Sequence, residues 1–290
     1  IPVAGTHAHS WVMNFPSELE AFRAYADLFP DACLLLVDTY DTLKSGVPNA
    51  IRVFRELREK GHEPKGIRLD SGDLAYLSKR ARRMLDDAGF PDAIICASGD
   101  LDEHVIASLK NQGAKIDLWG VGTKLITSSD MPALGGVYKL SALYPAGGGE
   151  IPKIKLSDNS DKITNPAFKD VWRIYDNETG KAEADLIVVR GETFDESKPL
   201  TIFHPKETWK RITFTDYTVR PLTVQVMRGG ELCAPLPPLS EICAYASREK
   251  ESFWDEYKRQ DNPHVYKVDL SQKLFDIKNK LISQIRGNDG

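Results

Sequence analysis

The sequence predicts an α/β protein with a mainly parallel sheet, followed by a smaller α+β domain. Between Ser17 and Thr127, segments of helical and strand periodicity alternate with little interruption, which is typical of repeated βα units. After the glycine-rich Pro145–Gly149, β-rich segments and then two amphipathic helices follow. We therefore expect an α/β domain over residues 1–145 and a C-terminal α+β domain over residues 146–290.

Four predicted helices lie in the first domain. A capping box, Ser17 to Glu20, opens the first helix, and Pro30 ends it. The other three each close at a glycine, which readily adopts the left-handed conformation found after helices. The residues that recur with helical period are Leu19, Phe22, Ala26 and Phe29; Ala50, Val53, Phe54 and Leu57; Leu74, Leu77, Ala81 and Leu85; and Val105, Ile106 and Leu109.

Apolar runs between these helices predict parallel strands. The first run has no element before it and reads as the end of a strand, so we expect the chain to be a fragment of a longer protein, with its first domain incomplete at the amino terminus. The candidate strands are Ile1–Ala4, Cys33–Val37, Gly66–Leu69, Ala93–Ala97, Ile116–Trp119 and Gly136–Leu143.

The second domain reads as a small sheet with two helices. An antiparallel pair around a turn at Asp176–Gly180 opens it. Strands are predicted at 171–175, 186–189, 200–203 and 222–227, and helices at 240–258 and 270–285.

Composition excludes several classes of protein. Lys plus Arg number 38 against 42 Asp plus Glu, and the net charge of -4 offers no basic surface for nucleic acid. The longest apolar run, Ala32–Val37, is far shorter than the roughly 20 residues that span a bilayer. Cys33 and Cys96 lie in apolar runs and are predicted to be inert core thiols. We expect a soluble, cytoplasmic protein that binds neither nucleic acid nor membrane.

Polar or glycine-bearing residues directly follow each of the first five predicted strands. If the strands are parallel, these segments meet at the carboxyl edge of the sheet, where α/β proteins bind their ligands. The sequence therefore predicts one functional edge. The segments are Gly5–Ser10, Asp38–Thr42, Asp70–Asp73, Ser98–Asp100 and Gly120–Thr123.

Residues at this edge suit an anionic ligand. Backbone N–H groups of Gly120–Thr123 can approach a phosphate closely, although a tight turn explains the same glycines. Asp70 and Asp73 can bind ribose hydroxyls, hold Mg²⁺ through its waters or stabilise a developing positive charge; the alternative is that a residue here caps the next helix. Arg68, on the same strand face as Asp70, carries a planar guanidinium suited to a carboxylate or phosphate.

Two histidines follow the first strand. His7 and His9 would lie on the same side of an extended chain. An imidazole there can act as a base, a metal ligand or a nucleophile that becomes phosphorylated. No third ligand stands at metal spacing, so no protein metal site is predicted.

Several runs, each a few residues long, resemble nicotinate phosphoribosyltransferases. The resemblance covers nearly the whole chain and is densest between Gly5 and Leu140. The runs are Gly5–Trp11, Leu36–Thr42, Ile67–Leu74, Gly120–Thr123 and Gly135–Leu140.

The resemblance implies a reaction and a set of roles. The family condenses nicotinate with phosphoribosyl pyrophosphate, assisted by ATP with Mg²⁺, to nicotinate mononucleotide in NAD biosynthesis, and works as a homodimer built on an irregular (β/α) barrel. By position, His9 is the histidine phosphorylated from ATP, Thr6 and Arg68 contact nicotinate, and Thr123 contacts the phosphoribosyl group. Asp70 is the second predicted catalytic residue. The remaining predicted substrate-binding residues are Ser71, Gly72, Ser98, Gly120 and Gly122.

Two departures from the family pattern stand out. Gly99 occupies a position where Asn is expected. An amino-terminal part, with an aromatic residue that would stack on the pyridine ring, is expected to be missing. Two alternatives therefore stay open: an enzyme acting on nicotinamide, and a catalytically inactive nucleotide-binding fragment.

Overall fold

The structure, a computed structural model, describes residues 5–159 and 162–287. The chain divides into two compact units, Ile1–Gly136 and Val137–Gly290. The division falls before residue 145, where the sequence placed the domain boundary. None of the described helices is long and apolar enough to cross a membrane.

The first unit is built on a four-stranded parallel sheet with strand order β1-β2-β3-β4. The predicted parallel α/β arrangement is therefore confirmed. The strands are β1 (Leu34–Leu36), β2 (Gly66–Leu69), β3 (Ile94–Ala97) and β4 (Leu118–Trp119). The helices are α1 (His9–Met13), α2 (Glu18–Leu28), α3 (Val47–Glu59), α4 (Leu74–Asp87), α5 (Glu103–Asn111) and α6 (Thr123–Ile126).

Side-chain caps fix where the helices begin. The Ser17 hydroxyl accepts a hydrogen bond from the Glu20 N–H, as the capping box predicts. Asp73 and Asp102 cap α4 and α5 in the same way, since each side chain accepts a hydrogen bond from the backbone N–H three residues ahead. For Asp73 the capping alternative is thus correct.

The helices cover one face of this sheet. Leu35, Ile67 and Ile95 alternate with residues of the opposite face and are fully buried against apolar residues of α2 to α5. Cys33 belongs to this core, and burial raises the pKa of its thiol to about 12. Burial likewise raises the pKa of Cys96, as expected of unreactive core thiols.

Two predictions about the sheet change. Residues 136–143 do not form a parallel strand: only β5 (Ala142–Leu143) is extended, in an antiparallel pair with β6 (Ile151–Pro152). Val137 and Tyr138 are 81% and 99% exposed, and among the described residues no strand pairs with residues 136–141. The candidate strand Ile1–Ala4 lies outside the described residues. Within them the sheet has two edges, β1 and β4, and does not close into a barrel.

The second unit is organised around a mixed four-stranded sheet with the strand order β11 (Tyr217–Pro221), β7 (Lys169–Asp176), β8 (Ala182–Val189) and β14 (Lys267–Leu270). β7 and β8 form the predicted antiparallel pair, and β14 runs parallel to β8. The strands are β7 (Lys169–Asp176), β8 (Ala182–Val189), β9 (Leu200–Phe203), β10 (Arg211–Phe214), β11 (Tyr217–Pro221), β12 (Met227–Arg228), β13 (Glu231–Leu232) and β14 (Lys267–Leu270). The helices are α7 (Leu239–Glu251), α8 (Asp255–Lys258) and α9 (Gln272–Gly287).

Two expectations for this unit were wrong in detail. The strand predicted over 222–227 lies earlier, because β11 pairs with β7 from Tyr217 to Pro221. The helix predicted over 240–258 is interrupted after Glu251, where the Trp254 indole turns to donate to Glu183 at 2.9 Å.

Candidate active site at the carboxyl edge of the parallel sheet

The register of the sheet aligns the ends of its four strands. Leu36, Arg68 and Cys96 lie side by side across β1, β2 and β3. Side chains alternate along a strand, so the row two residues further on points to the same face, opposite the helix-covered core. The row consists of Asp38, Asp70, Ser98 and Gly120.

Arg68, Asp70 and Ser98 form a hydrogen-bonded triangle. Arg68 donates from Nη2 to Asp70 Oδ1 and from Nε to Ser98 Oγ, both at 2.7 Å. The Ser98 hydroxyl donates to the same Asp70 oxygen. Among the described residues, Nη1 of Arg68 has no hydrogen-bond partner, and the side chain is 24% exposed. One arm of the guanidinium is therefore held in place and the other is available to a ligand.

Asp70 is held in its ionised form. Partial burial alone would raise the pKa of Asp70, but the hydrogen bonds from Ser98 and Arg68 outweigh it and keep that pKa below its ordinary value. Asp70 therefore contributes a fixed negative charge at neutral pH.

Asp38 joins the ends of β1 and β2. Its Oδ2 accepts from the backbone N–H of Asp70 at 2.8 Å and from the Ser71 hydroxyl at 2.7 Å. Its side chain is only 3% exposed, and Oδ1 is buried without a hydrogen-bond partner. The sequence analysis placed Asp38 in a polar strand end but not among the site residues. Its register with Asp70 is the signal that identifies it.

His9 faces both carboxylates. Its Nε2 lies 3.6 Å from Asp70 Oδ2 and 3.9 Å from Asp38 Oδ1, and its Nδ1 lies 3.1 Å from the Thr39 hydroxyl. Two carboxylates favour a proton on Nε2, which leaves the lone pair of the neutral ring on Nδ1. The side chain is 39% exposed, so a solute can reach it.

Thr6 and His7 complete the free edge of β1. The Thr6 hydroxyl donates to the Leu34 carbonyl at 2.6 Å, and His7 Nε2 accepts from the Leu36 N–H at 3.1 Å. Burial lowers the pKa of His7 to about 4, so the ring is neutral. His7 is thus a structural residue of the core, and the hydroxyl proton of Thr6 is committed to the sheet.

Glycines let the strand ends approach one another. Gly99 has φ +93°, and a Cβ there would lie 2.1 Å from the Asp70 carbonyl oxygen. An Asn in this backbone would collide with Asp70, so this backbone requires glycine at position 99. A Cβ on Gly120 would lie 3.2 Å from that of Ser98, so Gly120 packs directly against the site. Gly72, with φ +78°, forms the turn into α4.

Gly122 and Thr123 are not joined to this group. Both are exposed at the start of α6, and no hydrogen bond among the described residues links either to His9, Arg68 or Asp70. The structure therefore brings together His9, Arg68, Asp70 and Ser98 of the predicted site residues, and it adds the carboxylate of Asp38.

Known proteins match the chain from end to end. Residues 168–278 match the family described as nicotinate phosphoribosyltransferase C-terminal domain. The nicotinate phosphoribosyltransferase of Bacillus subtilis (strain 168) is 47% identical over 286 residues, covering 99% of this chain and 58% of the relative. That of Dictyostelium discoideum is 36% identical over 334 residues, covering 97% and 56%.

A solved structure shares the fold. The crystal structure of human nicotinic acid phosphoribosyltransferase is similar with a TM-score of 0.80 and 28% sequence identity, covering 97% of this chain and 62% of that one. The chain thus spans between 56% and 62% of the length of these three proteins. Sequence and fold agree with the resemblance carried by the motifs at the strand ends, and the chain belongs to the nicotinate phosphoribosyltransferase family.

Proposed function

We propose that the protein is an ATP-assisted nicotinate phosphoribosyltransferase of NAD biosynthesis. It would join nicotinate to phosphoribosyl pyrophosphate, releasing pyrophosphate and nicotinate mononucleotide. The observation that carries this proposal is the hydrogen-bonded group of Arg68, Asp70 and Ser98 beside His9 at one sheet edge. The names of the matching relatives support the same activity.

Arg68 suits the carboxylate of nicotinate. Its Nε and Nη2 are fixed by Ser98 and Asp70, so little conformational entropy is lost when Nη1 meets a ligand oxygen. Nicotinamide carries no negative charge and would gain less from the guanidinium. The geometry therefore favours the acid over the amide as substrate.

Asp70 suits the transition state of glycosyl transfer. The pyridine nitrogen attacks the anomeric carbon as the bond to pyrophosphate breaks, and positive charge develops on the ribose. A carboxylate that stays ionised and needs no reorganisation stabilises such charge. The lowered pKa of Asp70, which its hydrogen bonds bring about against the effect of burial, keeps this charge in place.

His9 is well placed to accept a phosphoryl group. It is accessible, and the carboxylates near Nε2 would stabilise the imidazolium-like charge that forms when Nδ1, released from the Thr39 hydroxyl, attacks the γ-phosphorus of ATP and ADP leaves. Hydrolysis of a phosphohistidine would couple ATP to the condensation.

Mg²⁺ is the expected companion of the two phosphorylated substrates. The unpaired, buried Oδ1 of Asp38 and the nearby Oδ2 of Asp70 are hard oxygen donors of the kind that Mg²⁺ accepts. Within residues 5–159 and 162–287, no group of three or more His, Cys, Asp or Glu could hold a metal ion alone. Substrate phosphates and water would have to supply the remaining ligands, and the bound ion would neutralise the leaving pyrophosphate.

The proposed function also implies a fold, an oligomeric state and further substrate contacts. We propose a cytoplasmic homodimer in which the parallel sheet belongs to an irregular barrel and Thr6, Ser71, Gly72, Gly120, Gly122 and Thr123 contact substrates. Within the described residues, helices α2 to α5 cover one face of the sheet, which is consistent with the outer face of such a barrel.

Turnover with competing substrates tests the proposal. We expect nicotinate to be consumed in preference to nicotinamide, with ATP hydrolysed alongside. Arg68→Lys should weaken nicotinate binding by roughly 10- to 100-fold, because an ammonium group cannot keep both the Ser98 and Asp70 contacts and also reach a ligand. His9→Ala should abolish ATP hydrolysis and phosphate incorporation. Equal use of both pyridines would contradict the role of Arg68, and unchanged ATP hydrolysis in His9→Ala would contradict the role of His9. Nucleotide binding without ATP hydrolysis in the wild type would favour a nucleotide-binding fragment.

A further inference from the structure

Hydrogen bonds connect helix α2 to the two segments that carry His9 and Thr39, whose side chains are hydrogen-bonded to each other. On the His9 side, the Trp11 indole N–H donates to the Ala21 carbonyl at 3.0 Å. Trp11 lies in α1, two residues after His9, so this bond fixes α1 against α2.

On the Thr39 side, the tie is made by Glu18 in the first turn of α2. Its Oε2 accepts a hydrogen bond from the Ser45 hydroxyl and another from the Asn49 side-chain amide at 2.9 Å. Ser45 belongs to a π-helical turn, Thr42–Gly46, and Asn49 to the start of α3. Both therefore lie in the connection that leads from β1 through Thr39 to α3.

Hydrogen bonds to Asp41 organise the segment Asp41–Gly46, which begins two residues after Thr39. Asp41 accepts backbone N–H groups of Leu43 and Lys44 through its side chain, and those of Ser45 and Gly46 through its carbonyl. At the far end Gly46 packs against the Val37 carbonyl so closely that a Cβ would lie 1.8 Å from the oxygen. A displacement at Ser45 would therefore move Asp41, which lies two residues from Thr39.

Burying Glu18 lowers the stability of the fold, which argues against a purely structural role. The residue is 5% exposed, and its second oxygen, Oε1, is buried without a hydrogen-bond partner. A buried carboxylate with an unpaired oxygen lowers stability relative to an apolar residue of similar volume. Its two directed hydrogen bonds, in contrast, specify where the segment sits.

We propose that Glu18 is a positioning residue for His9. It sets the Thr39 hydroxyl at hydrogen-bonding distance from His9 Nδ1, and thereby orients Nε2 towards Asp70 and Asp38. The inference rests on the proposed function for its consequence, since phosphoryl transfer to His9 is the step that the orientation serves.

Two substitutions separate the hydrogen bonds from the bulk of the side chain. Glu18→Gln keeps a carbonyl oxygen at the Oε2 position and so both bonds, whereas Glu18→Leu fills a similar volume and accepts none. We expect phosphorylation of His9 from ATP, located by mass spectrometry, to fall about 10- to 100-fold in Glu18→Leu and to stay within about twofold of wild type in Glu18→Gln. Glu20→Leu, at an exposed position of the same helix, is the matched control and should keep the wild-type rate. A wild-type rate in Glu18→Leu, or an equal loss in both Glu18 variants, overturns the proposal.

A double-mutant cycle tests whether Glu18 acts on His9 through the Thr39 hydroxyl. If Glu18 acts through the Thr39 hydroxyl, Glu18→Leu should have little further effect once Thr39→Val has removed that hydroxyl. The same fold-loss in both backgrounds would show a general effect on folding and overturn the proposal. Ser45→Ala removes the tie from the other side and replaces Glu18→Leu in the cycle if that variant does not fold.

Amide hydrogen exchange gives a readout that needs no catalysis. Glu18→Leu should accelerate exchange of the N–H groups of Ser45 and Gly46, and Glu18→Gln should not. Unchanged protection in Glu18→Leu overturns the inference whatever the activity. Failure of the wild-type protein to phosphorylate His9 rejects the proposed function instead, and the exchange result still decides whether Glu18 holds the segment.

Discussion

Acidification should destabilise the first unit through His7. His7 is 6% exposed, the centroid of its ring lies 4.8 Å from that of Tyr25, and its Nε2 accepts a hydrogen bond from the Leu36 N–H. Protonation would remove that acceptor and place a charge in the core. Burial accordingly lowers the pKa of His7 from 6.5 to about 4.

The sign and size follow from linkage. Above pH 6.5 neither the folded nor the unfolded state binds a proton at His7, and its contribution to stability is fully present. Between pH 6.5 and about 4 only the unfolded state is protonated, so the free energy of unfolding falls with pH. A pKa difference of that size amounts to a loss of about 3 kcal/mol at pH 4.

Urea unfolding at several pH values between 7 and 4 measures this loss. His7→Gln is the comparison, because it keeps an acceptor near the Leu36 N–H and does not titrate. We expect it to be less stable at pH 7, where it fills the site less well, and to lose less stability than the wild type on acidification, by about 3 kcal/mol at pH 4. Parallel curves for the two proteins would refute the assignment of the pH dependence to His7.

Two further substitutions probe the geometry of the two units. Gly99→Ala should lower the free energy of unfolding by roughly 2–4 kcal/mol and reduce turnover, because its Cβ would collide with the Asp70 carbonyl. Gly113→Ala is the control: the backbone there also has a positive φ, but the space around it is open, so the free energy of unfolding should fall by only about 1 kcal/mol. Similar urea midpoints for the two variants would contradict the collision. In the second unit, Asp185→Asn should lower the free energy of unfolding by about 2–4 kcal/mol, because it breaks the bidentate pair with Arg173, whose side chain is 13% exposed. A loss below about 1 kcal/mol, measured by thermal unfolding, would show that the pair contributes little.

The position of the site could be predicted from the sequence because it depends on strand direction. Once the strands are parallel, the first polar residues after β2 and β3 must be neighbours, and Asp70 and Ser98 are. Asp38 follows from the same rule but was missed, since a single Asp after a strand looks the same whether it caps a helix, closes a turn or enters a site. Only the register distinguishes these roles.

Other features depend on contacts that periodicity does not encode. The apolar run 136–143 has strand-like composition, yet a strand also needs a partner, and Val137 and Tyr138 remain exposed. Glu18 looks like an ordinary acidic residue in the first turn of a helix, favoured there by the helix dipole. Its partners Ser45 and Asn49 lie 27 and 31 residues away, beyond any local pattern.

The two histidines show how a small backbone change separates structure from chemistry. An extended chain would have pointed both rings to one side, but α1 begins at His9, so the period of two ends between them. His7 stays in phase with the sheet edge and enters the core as a neutral acceptor. His9 moves onto the helix and meets two carboxylates at an accessible edge. The chemistry available to each ring is therefore decided by its hydrogen-bond partners and by where the helix starts, and the residue type alone does not distinguish them.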